Sequence, residues 1–304
     1  MSDAPRILLL GSTGQVGSEL QKTFADVGEI LTLDRKAADL GHPESLRKIV
    51  RDRKPDVILN AAAYTAVDRA ESEPEAAMAV NATAPKILAE EALRSGAILV
   101  HYSTDYVFDG TKAGPWVETD PVHPLNVYGA SKLAGEQAMT EVGGKFLIFR
   151  TSWVYGPRGS NFFLTMLRLG RERDLLKIVD DQVGAPTTSI EIARATRSVV
   201  SAVLAEPSAA TDAWAGIYHL TCGGSVSWCG FAKAILAQGQ SLLHGKTPKV
   251  LPIPSSEYPT PAKRPLNSVL SNEKLLARFK VQLPTWDAAM EEVLETVSAP
   301  QSLR

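Results

Sequence analysis

The most constraining feature of the sequence is a glycine-rich turn close to the start of the chain. The apolar run RILLL, which ends at Leu10, is followed at once by Gly11, Gly14 and Gly17 and then by a helical pattern. At a strand-to-helix turn, glycines let the backbone approach a pyrophosphate, which the helix N-terminal amides and dipole then stabilise. The turn therefore predicts a dinucleotide site, although the same spacing also occurs in plain packing turns.

Short apolar runs alternate with longer helical patterns through the first half of the chain. The predicted strands, in chain order, are RILLL, EILTL, DVILN, AILVHYS and FLIFR. The stretches Ile7–Leu10 and Val57–Leu59 are continuously apolar, as expected for strands that are buried on both faces. This alternation predicts an α/β fold built on a doubly wound, Rossmann-like parallel sheet.

The regular alternation weakens after about residue 154, where turn clusters and a proline-rich stretch from Pro248 to Pro265 follow. We expect residues 1–153 to form the dinucleotide-binding domain, with later segments returning to it. Residues 154–304 are expected to form mainly a smaller α/β substrate-binding domain.

Composition excludes several classes of partner. The net charge of −2 gives no basic surplus for a nucleic acid. No stretch approaches the roughly 20 apolar residues of a membrane helix, so we expect no membrane partner and a cytoplasmic location. Cys222 and Cys229 are too few for a disulfide framework, and the scattered histidines lack chelating spacing. We therefore expect no metal site.

The end of the second predicted strand carries two residues that favour different cofactors. Asp34 lies where an acidic side chain can accept hydrogen bonds from the adenosine ribose, which favours NAD. Arg35 follows at once, and its guanidinium could hold the 2′-phosphate of NADP. The pair predicts use of both NADH and NADPH, and an exposed turn without cofactor contact is the alternative.

A tyrosine and a lysine four residues apart provide the candidate chemistry. In NVYGASKLAGE, Tyr128 and Lys132 share one face of a predicted helix. A nearby ammonium, together with the charge of an oxidised nicotinamide, would lower the pKa of the phenol and let it exchange a proton. The preceding strand, AILVHYS, is followed by Thr104 and Asp105, which would bring a hydroxyl to the same sheet edge.

Several segments together resemble the dTDP-4-dehydrorhamnose reductase family of extended short-chain dehydrogenases. The segments are the glycine turn, NAAAYTAVDRAE, HYSTDYVFDG, NVYGASKLAGE, FRTSWVYG and PTPAKRPLNS. The resemblance covers nearly the whole chain and implies reduction of the C4 ketone of dTDP-4-dehydro-β-L-rhamnose by NADH or NADPH. It implies that Tyr128 donates the proton, that Lys132 holds the nicotinamide ribose, and that Thr104 binds the C4 oxygen or the phenol.

The resemblance also assigns binding residues. The positions that match cofactor contacts of the family are Gly14, Gln15, Val16, Asp34, Asp39, Leu40, Ala63, Tyr64 and Thr65. The candidate cofactor residues also include Gly11, Gly17, Arg35, Tyr128 and Lys132, for the reasons given above. The candidate substrate residues are Thr104, Asp105, Trp153 and Arg264, with Lys263 beside the last of these. Asp105 would bind sugar hydroxyls, Trp153 would stack on the sugar nucleotide, and Arg264 would face the diphosphate. The alternatives are a turn-capping aspartate, a packing tryptophan and a solvated cation.

One departure from the family concerns its magnesium site. Some members dimerise through magnesium held by three glutamates, and Glu19 matches the first of them. Ile190 and Thr296 occupy the other two positions, and the neighbouring Glu191 and Glu295 are turned by about 100° on a helix. The sequence therefore does not support a magnesium-bridged dimer, and it leaves a homodimer of another kind open.

Two other functions remain open on this reasoning. A nucleotide-sugar epimerase can use the same fold and the same tyrosine and lysine, because a fold does not choose a reaction. A non-catalytic, nucleotide-binding regulatory subunit can keep the pocket without turnover. The presence of Thr104, Tyr128 and Lys132 favours an enzyme.

Overall fold

The computed structural model describes residues 4–42, 44–206 and 213–299. Its strands are β1 Arg6–Leu10, β2 Glu29–Leu33, β3 Val57–Asn60, β4 Ile98–Thr104, β5 Phe146–Thr151, β6 Val154–Tyr155, β7 Leu175–Val179, β8 Val183–Gly184, β9 Thr187–Thr188, β10 Gly216–His219, β11 Val226–Ser227 and β12 Lys249–Ile253. Its helices are α1 Gln15–Thr23, α2 Glu44–Arg53, α3 Val67–Ala70, α4 Pro74–Met78, α5 Ala84–Ser95, α6 Val127–Val142, α7 Phe162–Glu172, α8 Ser189–Ala205, α9 Trp228–Gln238, α10 Glu273–Phe279 and α11 Trp286–Ser298.

Six parallel strands form the central sheet, in the order β10-β5-β4-β3-β1-β2. The five strands predicted in the first half of the sequence each occur within one residue of their expected bounds, and the α/β, doubly wound sheet is confirmed. The sixth strand, β10, comes from the second half of the chain and pairs with β5.

Helices cover both faces of this sheet because its strands are apolar on both sides. Leu9 and its neighbours on one face pack with α1 and α8, through Leu20 and Val199. Leu8 and its neighbours on the other face pack with α2 and α5, through Leu46 and Leu88. The continuous apolar runs of the sequence thus become a three-layer core, in which Leu8 and Leu9 are fully buried.

A second core lies in the C-terminal half of the chain. Phe163 of α7, Phe231 of α9 and Met290 of α11 are fully buried against one another there. β7 and β12 pair in parallel beside these helices. We call the sheet with its covering helices the first lobe, and the elements around this second core the second lobe.

A buried ion pair joins α6 to two strands of the sheet. Arg150 of β5 donates to Glu136 of α6 at 2.6, 3.0 and 3.2 Å, and the hydroxyl of Ser103 on β4 donates to the same carboxylate. Glu136 is 1% exposed and Arg150 is 3% exposed, so each charge depends on the other for compensation. The pair therefore fixes how α6 lies on the sheet.

The ion pair leads to a stability prediction. We expect Arg150→Met alone to lower the free energy of unfolding by about 3–5 kcal/mol, because Glu136 would stay buried without its cation. The double variant Glu136→Leu/Arg150→Met is expected to recover most of that loss. Urea unfolding followed by circular dichroism measures both, and an equal loss in the single and double variants would contradict the ion-pair explanation.

Candidate active site

The glycine turn forms a close-packed cradle at the carboxyl end of β1. Gly11 has a φ of +75°, and its amide donates to the carbonyl of Leu33 at the end of β2. A β-carbon on Gly17 would lie 2.1 Å from the Gly11 oxygen, so α1 approaches the turn more closely than any side chain permits. The glycines leave the backbone of the turn uncovered by side chains where α1 begins, as the binding of a pyrophosphate at a helix N-terminus requires.

Two of the other predicted cofactor residues in this turn, Gln15 and Val16, begin helix α1. Gln15 Oε1 accepts a hydrogen bond of 2.9 Å from Asn161, which caps α7 of the second lobe. Val16 packs against the core between the sheet and α1. The turn therefore also joins the two lobes.

The candidate adenosine-side residues lie after β2, at one edge of the sheet. Asp34 is partly buried and accepts from the amide of Ala37 at 2.9 Å. The side chain of Arg35 is 85% exposed and lies 3.8 Å from Asp39. Leu40 is buried in the core beside them. β2 is three strands from β4 in the sheet order, about 14 Å at the usual strand spacing, so an extended ligand is needed to reach both groups.

The loop after β3 carries the predicted residues Ala63, Tyr64 and Thr65, of which Ala63 and Thr65 are exposed. The backbone of Tyr64 is held by Asn81, whose side-chain amide accepts from its N–H at 2.9 Å and donates to its carbonyl at 3.0 Å. Asn81 lies in a π-helical turn, Ala79–Thr83, and also donates to the Ser131 hydroxyl at 3.0 Å. It thereby connects the loop to the residue next to Lys132.

Thr104, Asp105 and Tyr128 come together at the carboxyl end of β4. Thr104 donates to Asp105 Oδ1 at 2.9 Å and caps the short 3-10 helix Asp105–Val107. Asp105 Oδ2 is buried and lacks a hydrogen-bond partner among the described residues. Burial raises the pKa of Asp105 to about 6, against the opposing effects of hydrogen bonds with Ser268 and Thr104.

The phenol of Tyr128 departs from the expectation that a nearby cation lowers its pKa. Burial raises the pKa of Tyr128 to about 12, a hydrogen bond with Thr104 acts against this rise, and the charge of Asp105 adds to it. The ammonium of Lys132 is directed elsewhere, towards the Tyr102 carbonyl at 2.6 Å. Tyr128 is therefore protonated at neutral pH, the state that a proton donor requires.

Lys132 is itself 1% exposed. Besides the Tyr102 carbonyl, its Nζ lies 3.1 Å from His101 Nε2. Burial lowers the pKa of Lys132 to about 8, and the charge of Glu136, one helical turn further on, opposes this change. Lys132 and Tyr128 thus share a helix and a site, with their polar groups held by different partners.

The candidate substrate residues of the second half have partners within the protein. Trp153, at a φ of +48°, stacks on Trp228 with a centroid separation of 3.5 Å. Arg264 donates to Asp68 of α3 at 2.8 and 3.1 Å, which ties the proline-rich loop to the first lobe. The charge of Arg264 opposes the rise that burial causes in the pKa of the Tyr106 phenol. The ring of Tyr106 packs edge-on against Tyr128, with a centroid separation of 5.6 Å. Arg264 therefore borders the site of Tyr128, whereas Trp153 lies on the side of the second lobe.

Comparisons with known proteins agree with this geometry. The sequence matches the family described as RmlD substrate binding domain over residues 5–299. The dTDP-4-dehydrorhamnose reductase of Burkholderia thailandensis is 52% identical over 289 residues, which cover 94% of this chain and 96% of the relative. The chain belongs to the dTDP-4-dehydrorhamnose reductase family.

Solved structures of the dTDP-4-dehydrorhamnose reductase family share its fold. The crystal structure of a member from Clostridium acetobutylicum has a TM-score of 0.88 at 37% identity and covers 96% of this chain and 99% of its own. A structure from Bacillus anthracis, in complex with NADP, has a TM-score of 0.87 at 35% identity with the same coverage. The Rossmann-like fold and the family predicted from the sequence are thus confirmed.

The three positions at which some family members hold magnesium have other contacts in this chain. Glu19 accepts from Lys22 at 2.7 and 2.9 Å, and Thr296 donates to the Glu292 carbonyl. Ile190 packs against the second-lobe core. Across residues 4–42, 44–206 and 213–299, no group of three or more histidine, cysteine, aspartate or glutamate side chains is arranged to hold a metal ion.

No helix in the same ranges is long and apolar enough to cross a membrane.

Two buried residues beside the catalytic candidates were not predicted from the sequence. Asn81 and His101 are both buried. Asn81 donates to Ser131, the residue before Lys132, and His101 contacts Lys132 itself. The available signal was weak: a polar residue within an otherwise apolar strand, as His101 is in AILVHYS, suggests a buried partner without identifying it.

The raised pKa of Asp105 gives a pH-dependent prediction. The ordinary pKa of the Asp105 carboxyl is 3.8, and its folded-state pKa is about 6. The free energy of unfolding therefore falls as the pH rises to 6 and above, because the buried carboxyl then becomes charged. Asp105→Asn does not titrate, so we expect its stability relative to wild type to rise by about 1 kcal/mol between pH 5 and pH 8. Urea unfolding at both pH values measures this, and a constant difference would contradict the raised pKa.

Proposed function

We propose that this protein reduces the C4 ketone of dTDP-4-dehydro-β-L-rhamnose to dTDP-β-L-rhamnose with NADH or NADPH. The observation that carries the proposal is the cluster of the buried Thr104 and Lys132 with the partly buried Tyr128, at the carboxyl edge of a sheet that also bears the glycine turn. Membership of the reductase family supports the same substrate class.

The residues at this edge fit a nicotinamide dinucleotide. The bare backbone of Gly11, Gly14 and Gly17 suits a pyrophosphate, and Asp34 suits ribose hydroxyls. The proposed cofactor-binding residues are Gly11, Gly14, Gln15, Val16, Gly17, Asp34, Arg35, Asp39, Leu40, Ala63, Tyr64, Thr65, Tyr128 and Lys132. When bound here, a reduced nicotinamide would supply the hydride for the substrate carbonyl carbon.

The protein side chains then complete the reduction. Tyr128, protonated because its pKa is raised, donates its proton to the C4 oxygen as negative charge develops there. The Thr104 hydroxyl lies beside the phenol and would stabilise the same charge by hydrogen bonding, for which it must turn its one hydrogen away from Asp105 Oδ1. Lys132 holds the nicotinamide ribose from the face of α6 that it shares with Tyr128.

Substrate binding is assigned to both lobes. Asp105, with one buried oxygen that lacks a partner among the described residues, binds sugar hydroxyls as an acceptor. Arg264 contributes its guanidinium to the diphosphate, for which it must share or leave its contact with Asp68. Trp153, with its ring stacked on Trp228, offers its remaining surface to the sugar nucleotide. Residues 154–304 are proposed to form mainly the substrate-binding domain.

The cofactor choice depends on Asp34 and Arg35. The guanidinium of Arg35 is 85% exposed and forms a long ion pair of 3.8 Å with Asp39, which it would leave to bind a 2′-phosphate. We propose that the enzyme uses both NADH and NADPH as hydride donors. We also propose that any homodimer assembles without a magnesium bridge. A cytoplasmic location stays a prediction.

The decisive assay follows NADH and NADPH oxidation at the nicotinamide absorbance, with dTDP-4-dehydro-L-rhamnose generated in the same tube by the upstream enzymes. We expect oxidation only when the sugar nucleotide is present. Tightly retained cofactor without net oxidation would favour the epimerase alternative, because an epimerase keeps its cofactor through two half-reactions. Cofactor binding without either behaviour would favour the regulatory subunit.

The role of Tyr128 is tested by removing its hydroxyl. We expect Tyr128→Phe to lower kcat by about 10²–10⁴-fold, because the developing oxyanion loses its proton donor, while cofactor affinity changes little. Steady-state kinetics and cofactor titration by fluorescence measure the two quantities. Tyr106→Phe, which alters the neighbouring phenol, is the matched control and should keep most of the turnover. Near-normal turnover in Tyr128→Phe would overturn the assignment.

A further inference from the structure

A row of buried polar side chains leads from the end of β3 to Lys132. Asn60 and His101 lie opposite each other in the neighbouring strands β3 and β4. Asn60 Nδ2 is 3.1 Å from His101 Nδ1, and His101 Nε2 is 3.1 Å from Lys132 Nζ. Each of the three residues is 1% exposed. Their hydrogen bonds are therefore made to one another instead of to solvent.

The backbone fixes the direction of these hydrogen bonds. The amide of Ala62 donates to Asn60 Oδ1 at 3.3 Å, which turns the side-chain oxygen of Asn60 towards Ala62 and its amino group towards His101. An amino group only donates, so His101 Nδ1 must accept. A neutral imidazole with an accepting Nδ1 carries its hydrogen on Nε2. His101 thus directs an N–H group at Lys132.

This N–H group distinguishes between the two charge states of Lys132. An uncharged amine has a lone pair that can accept from His101 Nε2–H while one of its hydrogens is donated to the Tyr102 carbonyl. An ammonium has no lone pair and would face the imidazole hydrogen with another hydrogen. The ammonium gains His101 as an acceptor only if the imidazole hydrogen moves to Nδ1, where it would face the Asn60 amino group. One hydrogen bond is lost in either charged arrangement.

We propose that Asn60 and His101 are positioning residues, which hold one tautomer of the imidazole and thereby stabilise the uncharged amine of Lys132. The consequence for turnover rests on the role proposed above for Lys132. Besides holding the ribose, a lysine that gives up its proton easily would pass that proton towards Tyr128 after each turnover and would regain one from solvent.

Burial and charge around the pair are consistent with this arrangement. Burial, followed by the charge of Lys132, lowers the pKa of His101 far below its usual range, so the imidazole stays uncharged. Burial also lowers the pKa of Lys132, against the opposing charge of Glu136 on the same helix. From the neighbouring elements, Arg150 of β5 is paired with Glu136, and Asp105 of the 3-10 helix is bonded to Thr104. The phenol of Tyr102 bonds Thr196 on the other side of the sheet.

The first test observes the tautomer directly and needs no substrate. In a long-range ¹H–¹⁵N correlation spectrum of the histidine-labelled protein at pH 9, above the pKa of Lys132, we expect His101 to carry its hydrogen on Nε2. Its signals are assigned by their loss in His101→Gln. A hydrogen on Nδ1 at this pH would overturn the proposal, whether or not the protein reduces a dTDP-sugar.

The second test reverses the hydrogen bond with a nearly isosteric change. In Asn60→Asp, one carboxylate oxygen can still accept from Ala62, and the other must accept from His101. The imidazole hydrogen therefore moves to Nδ1, and Nε2 becomes an acceptor for the ammonium of Lys132. We expect the inverted tautomer in the spectrum. We also expect the alkaline fall of kcat/KM to move up by about one pH unit, because the charged lysine gains an acceptor.

His244→Asn serves as the matched control. His244 is exposed in the second lobe at a φ of +52°, a conformation that asparagine tolerates, so its variant should keep the wild-type pH profile. An unshifted profile in Asn60→Asp with an inverted tautomer would overturn the link to Lys132. If Asn60→Asp does not fold, the wild-type spectrum alone decides the tautomer.

Discussion

The close approach of α6 to the sheet and its loops is the constraint on which the site depends. A β-carbon on Gly135 would lie 2.1 Å from the carbonyl oxygen of Asn81, so a larger residue would push the helix away. The buried pair of Glu136 and Arg150 holds the same helix at the next residue. Tyr128 and Lys132 are delivered to the carboxyl edge of the sheet only because the helix that bears them is fixed by both contacts.

Burial at this edge shifts the pKa values of acidic and basic side chains in opposite directions. It raises the pKa of Tyr128 and Asp105 and lowers the pKa of Lys132, so all three are moved towards their uncharged forms. Glu136, one helical turn beyond Lys132, forms a buried ion pair with Arg150. Water is largely excluded from this edge, so charge that develops on the reacting atoms interacts strongly with the groups that surround them.

The sequence was a good guide where the signal is local and a poor one where it depends on pairing between distant segments. The five N-terminal strands were found from their apolar runs, and Tyr128 and Lys132 from their spacing on one helix. The spacing does not reveal the burial that raises the pKa of Tyr128 in the absence of cofactor, nor that Lys132 is bonded to His101 and Tyr102. The strand β10 was missed as well, because four residues give a weak signal.

The position of β10 also bears on how the chain assembles. Residues 216–219 cover the outer edge of β5, which is complete at residue 151. During synthesis, that edge exposes unpaired backbone groups while some sixty further residues are made. The long-range pairing adds a slow loop closure to folding, and the half-built sheet is open to pairing with other chains in the interval. A fragment that ends near residue 153 would keep this open edge permanently, and aggregation is the expected fate of such a fragment.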